Sequence, residues 1–267
     1  MSRRAPLQCS DGLGDASLTL HAIDMTTKNE FAVERYTLVK VDWLLVAVLS
    51  GTAGAVDVIG FLGLGGLFVA HITGNLVVLA AHYVTGGFSQ IGPLLSVPVF
   101  IIVLGIVTEL FVEKEPRGAL RALLILHAVF LAGFLALGVG LGPFTNFDSG
   151  MPAFVGMLGV AAMATQSAMV KLDLPGFPST AVLTTNTVQL TIDIAMLIRG
   201  KDPSDELAQA RRRARVTFPA LVGFVTGCAA GAFLELHFGL WALTLPVISA
   251  AIAVFLGELW SESASES

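Results

Sequence analysis

Three sets of polar residues stand inside otherwise apolar stretches, and each is tolerable there only if kept away from lipid. Asp57 lies deep in the run from 43 to 63. A lone carboxylate at that depth costs at least about 2.5–3.5 kcal/mol on insertion scales unless it is paired, protonated or wet. It reads either as a proton or cation site facing a cavity, or as a cap for the helix that follows the joint Gly63-Leu64-Gly65-Gly66. His71, Asn75 and His82 are spaced by four and seven, so one helix would carry them on one face. Such a stripe either lines a cavity, with imidazoles that change charge near neutral pH, or bonds neighbouring helices as packing glue. Two histidines with no nearby Cys or acidic pair make a thin ligand set, so no metal and no cofactor is expected.

Asn186, Gln189 and Asp193 repeat the stripe at spacings of three and seven. Asp193 is expected either to pair with His82 across a pseudo-axis, or to bond Arg199 or Lys201 near the end of its segment. Thr73, Gln166 and Thr185 complete the candidate substrate- or ion-binding set.

These residues need elements to hold them. The chain is 55% hydrophobic and 13% charged, with mean hydropathy +0.80. Soluble domains are about a quarter charged, so a soluble core protein is excluded and a polytopic membrane protein is indicated. Eight apolar segments fall near 43–63, 66–85, 93–112, 120–142, 151–171, 180–198, 216–237 and 239–258. The second and sixth carry the polar stripes. Each follows helix-disrupting residues: the glycine joint in one case, Pro175-Gly176-Phe177-Pro178 in the other.

Charge decides how the segments thread. If all eight cross with the N-terminus inside, Lys114, Arg117, Arg121 and Lys171 fall outside, against the excess of Lys and Arg in cytoplasmic loops. If segments two and six leave by the face they enter, those residues move inside. The outer loops near 86–92, 143–150 and 238 then keep no Lys or Arg. We therefore expect an all-α bundle of six crossings plus two re-entrant or broken helices, with eight crossings as the alternative. Both termini would be cytoplasmic. Irregular backbone at membrane depth is tolerated only beside protein or a water-filled cavity.

The two odd segments also look alike. A shift of 111 puts Ala70 on Ala181, Thr73 on Thr184, Asn75 on Asn186, Val77 on Val188 and Leu79 on Leu190. Each copy follows one long apolar segment and precedes two more. Three crossings per half would invert one half relative to the other, a transporter pattern. The expected organisation is a disordered cytoplasmic leader over 1–40, membrane halves over 41–142 and 143–260, and a polar tail over 261–267. The leader has no apolar core behind a basic start and does not read as a secretory signal.

The stretches Asp57-Val58-Ile59-Gly60-Phe61-Leu62 and Phe68-Val69-Ala70-His71-Ile72-Thr73-Gly74-Asn75 resemble the first-half signature of the YoaK-like bacterial membrane proteins. Ala164-Thr165-Gln166-Ser167-Ala168, through Pro175 to Thr185-Asn186, is similar to that family's second motif, with departures at Ser167 and at Thr185-Asn186. The resemblance covers about 40–260. It implies a multi-pass inner-membrane protein of a family without an established activity.

Around 199–215, Asp202-Pro203-Ser204-Asp205-Glu206 opens a short helix that ends in Arg211, Arg212, Arg213 and Arg215. It reads as an orientation anchor beside anionic lipid. A net charge of −5, with basic residues confined to membrane-flanking loops, gives no reason to expect a nucleic-acid partner. Cys9 and Cys228 have no pairing or zinc spacing. Hydrolase, zincin, phosphate-loop and dinucleotide motifs are absent from the sequence, and an enzyme is not expected. The expected function is a small-solute transporter or permease, proton-coupled in one form, with its polar site between the halves. The alternative is a membrane-embedded sensor or scaffold. Expected partners are the lipid bilayer and an unknown small solute or ion, with a homo-oligomer left open.

Overall fold

The computed structural model describes residues 42–85, 91–114, 116–147, 149–174, 177–180, 183–201 and 203–263. The expected leader and the last four residues of the expected tail lie outside these. So do Pro175 and Gly176 of the second break.

The described residues form helices α1 (Asp42–Gly63), α2 (Ile72–Thr85), α3 (Ile91–Phe111), α4 (Pro116–Leu141), α5 (Gly150–Leu172), α6 (Leu183–Arg199), α7 (Ser204–Phe238) and α8 (Thr244–Ser263). A 3₁₀ turn over Gly239–Leu243 joins the last two, where Gly239 takes φ 57°. Among the described residues, five stretches are long and apolar enough to cross a membrane. The last, Ser204–Leu259, contains the Gly239 bend and so holds α7 and most of α8. At 1.5 Å per residue, α2 is only about 21 Å long, against a hydrocarbon core of about 30 Å.

Two apolar clusters mark the two ends of the bundle. One gathers Leu45, Leu124, Met169 and Leu256; the other gathers Ile59, Leu67, Phe134, Val155 and Leu243. Following these along the chain, α1, α3, α4, α5, α7 and α8 alternate in direction. The α4–α8 pair is decisive. Gly257 faces Leu124, Gly138 faces Leu243, and Arg121 pairs with Glu258 at 3.2 Å. The two helices are therefore antiparallel. Eight successive crossings would make them parallel; six make them antiparallel. The fold is an all-α polytopic membrane bundle, and the eight-crossing alternative fails on this contact.

The α1–α3 connection consequently starts and returns at the Leu67 end, and the α5–α7 connection at the Leu45 end. In the first, residues 64–71 run without helix into the bundle, and α2 leads back out. In the second, Phe177 packs near the Leu45 end and Leu183 reaches the other cluster before α6 returns. The two short helices thus begin inside the bundle and point outward at opposite ends.

Close seams hold the crossings. The Gly223-Gly227-Gly231 row of α7 lies against Ala47, Gly51 and Ala55 of α1, so near that a Cβ at Gly227 would strike the Gly51 carbonyl. Lipid tails are as apolar as leucine, and helices in a membrane associate through such close packing. In the other seam α5 packs on α3. Helix α2 packs on α3 and α6 on α7, rather than on each other. Helix α7 also departs from expectation. The predicted short arginine helix does not end before the seventh segment but continues into it as one 35-residue helix through Pro219.

Candidate functional site

Why α2 starts late is a matter of hydrogen bonds. Gly65 and Gly66 take φ 72° and 95°, a left-handed conformation that stops α1. The loop that follows would expose bare amides at membrane depth, and the flanking side chains satisfy them. Phe68 N–H donates to Asn75 Oδ1 at 2.9 Å, and Asn75 Nδ2 donates back to Phe68 C=O at 2.7 Å. Asn75 Nδ2 also donates to Ser96 Oγ of α3 at 2.7 Å, and Ser96 Oγ–H donates in turn to Pro93 C=O at 2.7 Å. Asn75 and Ser96 are fully buried.

Asp57 of α1 reaches the same loop. Its Oδ1 accepts from Ala70 N–H at 2.7 Å and His71 N–H at 3.3 Å, and its Oδ2 bonds His71 Nδ1 at 2.6 Å. The carboxylate is nearly buried while the imidazole side chain is 35% exposed. The carboxylate therefore sits at the inner end of α2, where backbone amides and the helix dipole favour an anion. His71 stacks edge-on against Phe224 of α7 at 5.5 Å, tying the loop to the other half.

The second connection repeats part of this construction. Asn186 Nδ2 donates to Ser179 C=O, seven residues back, as Asn75 does to Phe68. Gln166 of α5 reaches Thr180 Oγ1, fourteen residues on, at 2.8 Å, and Leu49 C=O of α1 at 3.1 Å. The Asp57–His71 side-chain bond has the same separation. Gln166 Oε1 is buried without a hydrogen-bond partner.

Farther along α6, Asp193 is fully buried and bound by Arg213 of α7: Nη2 at 2.6 Å, Nε at 3.1 and 3.2 Å. Gln189 Nε2 donates to the same carboxylate at 3.0 Å. Arg213 is thus the cation at Asp193, where His82, or Arg199 or Lys201, was expected. The reason is register. Arg213 points away from its neighbours in the arginine run, toward α6, and its guanidinium fork matches a carboxylate.

Two further expectations need correction. His71 precedes α2 and turns to Asp57, so it shares no helical face with Asn75 and His82; half-buried His82 sits in the last turn. Thr73 and Thr185 are exposed on the outer faces of their helices and do not join the buried groups. The sequence reading also missed Ser96, Thr180 and Arg213. Ser96 had no visible signal. Arg213 carried one, since its helical phase differs from that of Arg211, Arg212 and Arg215.

The polar groups form three clusters rather than one. Cavities of about 520 and 370 Å³ are present, but neither is lined by the candidate residues. Asp173, which follows α5, is nearly buried, with one carboxylate oxygen unpartnered. Burial pushes its carboxyl up to about 6. His127, at the α4–α5 seam, bonds Ala162 C=O through Nδ1 at 2.9 Å.

A family model described as a protein of unknown function (DUF1275) matches residues 45–256. The UPF0700 transmembrane protein YoaK of Bacillus subtilis (strain 168) is 28% identical over 152 residues, 57% of this chain. The match spans 66% of that relative's length, just under two thirds. No solved structure matches the chain.

Proposed function

We propose a transport function for this chain, which belongs to the DUF1275 family of membrane proteins: it is a small-solute transporter or permease built from two inverted halves. The observation that carries this reading is reciprocal construction. Helix α1 packs on α7 and α8, and α5 packs on α3 and α4. Each half sends one short helix into the bundle, from opposite ends, and each short helix is pinned by an Asn to the carbonyl seven residues upstream. An internal repeat at a shift of 111 accounts for the match, since Phe68 falls on Ser179 as Asn75 falls on Asn186. Broken helices in inverted repeats are where secondary transporters hold substrates and coupling ions.

In this reading the separate polar clusters are the contacts of a closed state. Asp57 and His71 are the pair best suited to proton coupling, and the protein is not an enzyme. The Leu45 end faces the cytoplasm of a bacterial inner membrane, because Lys114, Arg121, Lys171, Arg199, Lys201 and the arginines of α7 gather there.

A sensor or scaffold is the second reading. It is favoured by the way Asn75 spends its hydrogen bonds on the fold itself. The two separate on uptake by proteoliposomes, using a panel of labelled organic acids, amino acids and sugars under an imposed proton gradient. A transporter moves at least one member. His71→Gln slows that flux and changes its pH dependence while the protein inserts normally. Failure of every solute, with correctly folded and inserted protein, favours the scaffold.

A further inference from the structure

The cavity of about 520 Å³ is an apolar groove between α1, α7 and α8, floored by the glycine seam and walled by Trp43, Phe218, Val222, Ala230 and Leu245. We propose that it is a binding site for one anionic phospholipid, with an acyl chain in the groove and the phosphate on Arg211, Arg212 and Arg215. The proposal is independent of the transport reading.

The first support is register. Arg211, Arg215, Phe218, Val222 and Thr226 follow at intervals of four, three, four and four along one unbroken helix, so they share a face. Arg212 lies in line with Pro219, Gly223 and Ala230, which border the groove on its other side. The face that carries the groove therefore carries three guanidiniums within two turns of its end. All three are exposed, whereas Arg213 turns away to Asp193. An orientation anchor needs the charges near the interface; it does not need three of four aligned with an apolar groove.

The second support is depth. Trp43 opens α1 at the same end and lines the groove, a position that suits an indole at headgroup level. A chain entering beside it meets an apolar wall interrupted only by hydroxyls such as Thr226 and Ser249. Arginine forks match phosphate oxygens, and basic pockets between membrane helices hold anionic headgroups. A zwitterionic lipid brings the chains but no net charge, so charge complementarity selects the anionic headgroup.

The test uses Trp43 as the reporter. The full chain carrying Trp241→Phe and Trp260→Phe is reconstituted in phosphatidylcholine vesicles containing either brominated phosphatidylglycerol or brominated phosphatidylcholine. The expected result is half-maximal quenching of Trp43 at about tenfold lower mole fraction of the anionic lipid. The triple variant R211Q/R212Q/R215Q loses that preference while its unquenched emission stays the same, and R211K/R212K/R215K keeps most of it. Equal quenching by both lipids overturns the proposal, as does a preference that survives in the triple Gln variant. Absence of quenching by either lipid also overturns it, and assigns the groove to another segment of this chain or to a second copy.

Discussion

The two re-entrant segments share one plan but are fastened at different points. The first is fastened at its inner end. Asp57, His71, Asn75 and Ser96 close on the loop that leads into α2. The second has neutral groups, Asn186 at the position matching Asn75 and Gln166 bonded fourteen residues on as Asp57 is, and its charged fastening lies farther out, between Asp193 and Arg213. The comparison teaches that the plan requires an amide to satisfy the broken backbone, while the position of the charge is free to differ. One half places a titratable pair deep in the bundle; the other places an ion pair near the Leu45 end.

The largest way to break this comparison is to orphan the buried ion pair. Arg213→Ala leaves Asp193 fully buried without its cation, and stability should fall by about 3–5 kcal/mol. Asp193→Asn with Arg213→Gln should recover most of that loss. Thermal unfolding in detergent reads both, and a single-variant loss no larger than the double-variant loss would contradict the cost of an orphaned Asp193 charge.

The amides come next. Asn75→Ala strips partners from both polar groups of Phe68 and from Ser96, and each buried group left unsatisfied costs about 1–3 kcal/mol. Asn186→Ala loses the bond to Ser179 and should be the milder of the two. The reverse order would mean that the second loop leans on its amide more heavily than the first.

Asp57→Asn keeps the shape but removes the anion from the inner end of α2. A loss of about 1 kcal/mol is expected, and Gln166→Glu should give the second half no comparable gain, because no histidine stands opposite it.

A further effect concerns pH. The Asp173 carboxyl is raised from 3.8 to about 6 by burial. A raised carboxyl favours the folded state most below its unfolded value, and that contribution is lost as pH climbs through 6. Stability should therefore decline between about pH 4 and pH 6, and Asp173→Asn should flatten the decline. A decline that persists in the variant assigns the dependence to another group.

Much of this plan was legible in the sequence because it rests on strong terms. Long apolar runs, the glycine joint at 63–66 and the one-sided placement of Lys and Arg gave the six crossings and the two odd segments. The shift of 111 aligns Asn186 with Asn75, and each bonds the carbonyl seven residues upstream. What could not be read was direction. His71 looked helical because the polar stripe had the right spacing, yet the helix starts one residue later and the imidazole turns back to Asp57. Thr73 and Thr185 fell on the outer face because they stand two residues and one residue before the buried Asn75 and Asn186, about 200° and 100° around the helix. Arg213 stood among like residues, set apart only by its helical phase, and its partner Asp193 follows from tertiary register.

The central claim is that the polar segments enter from opposite faces between six crossings. Its most direct test is labelling with a membrane-impermeant maleimide at single cysteines, at Ser89, Ser149, Lys114 and Lys171, after Cys9 and Cys228 are replaced by Ser. Cysteines at 89 and 149 should react in intact cells, and those at 114 and 171 only in inverted vesicles. Reaction at 114 or 171 from outside intact cells would contradict it.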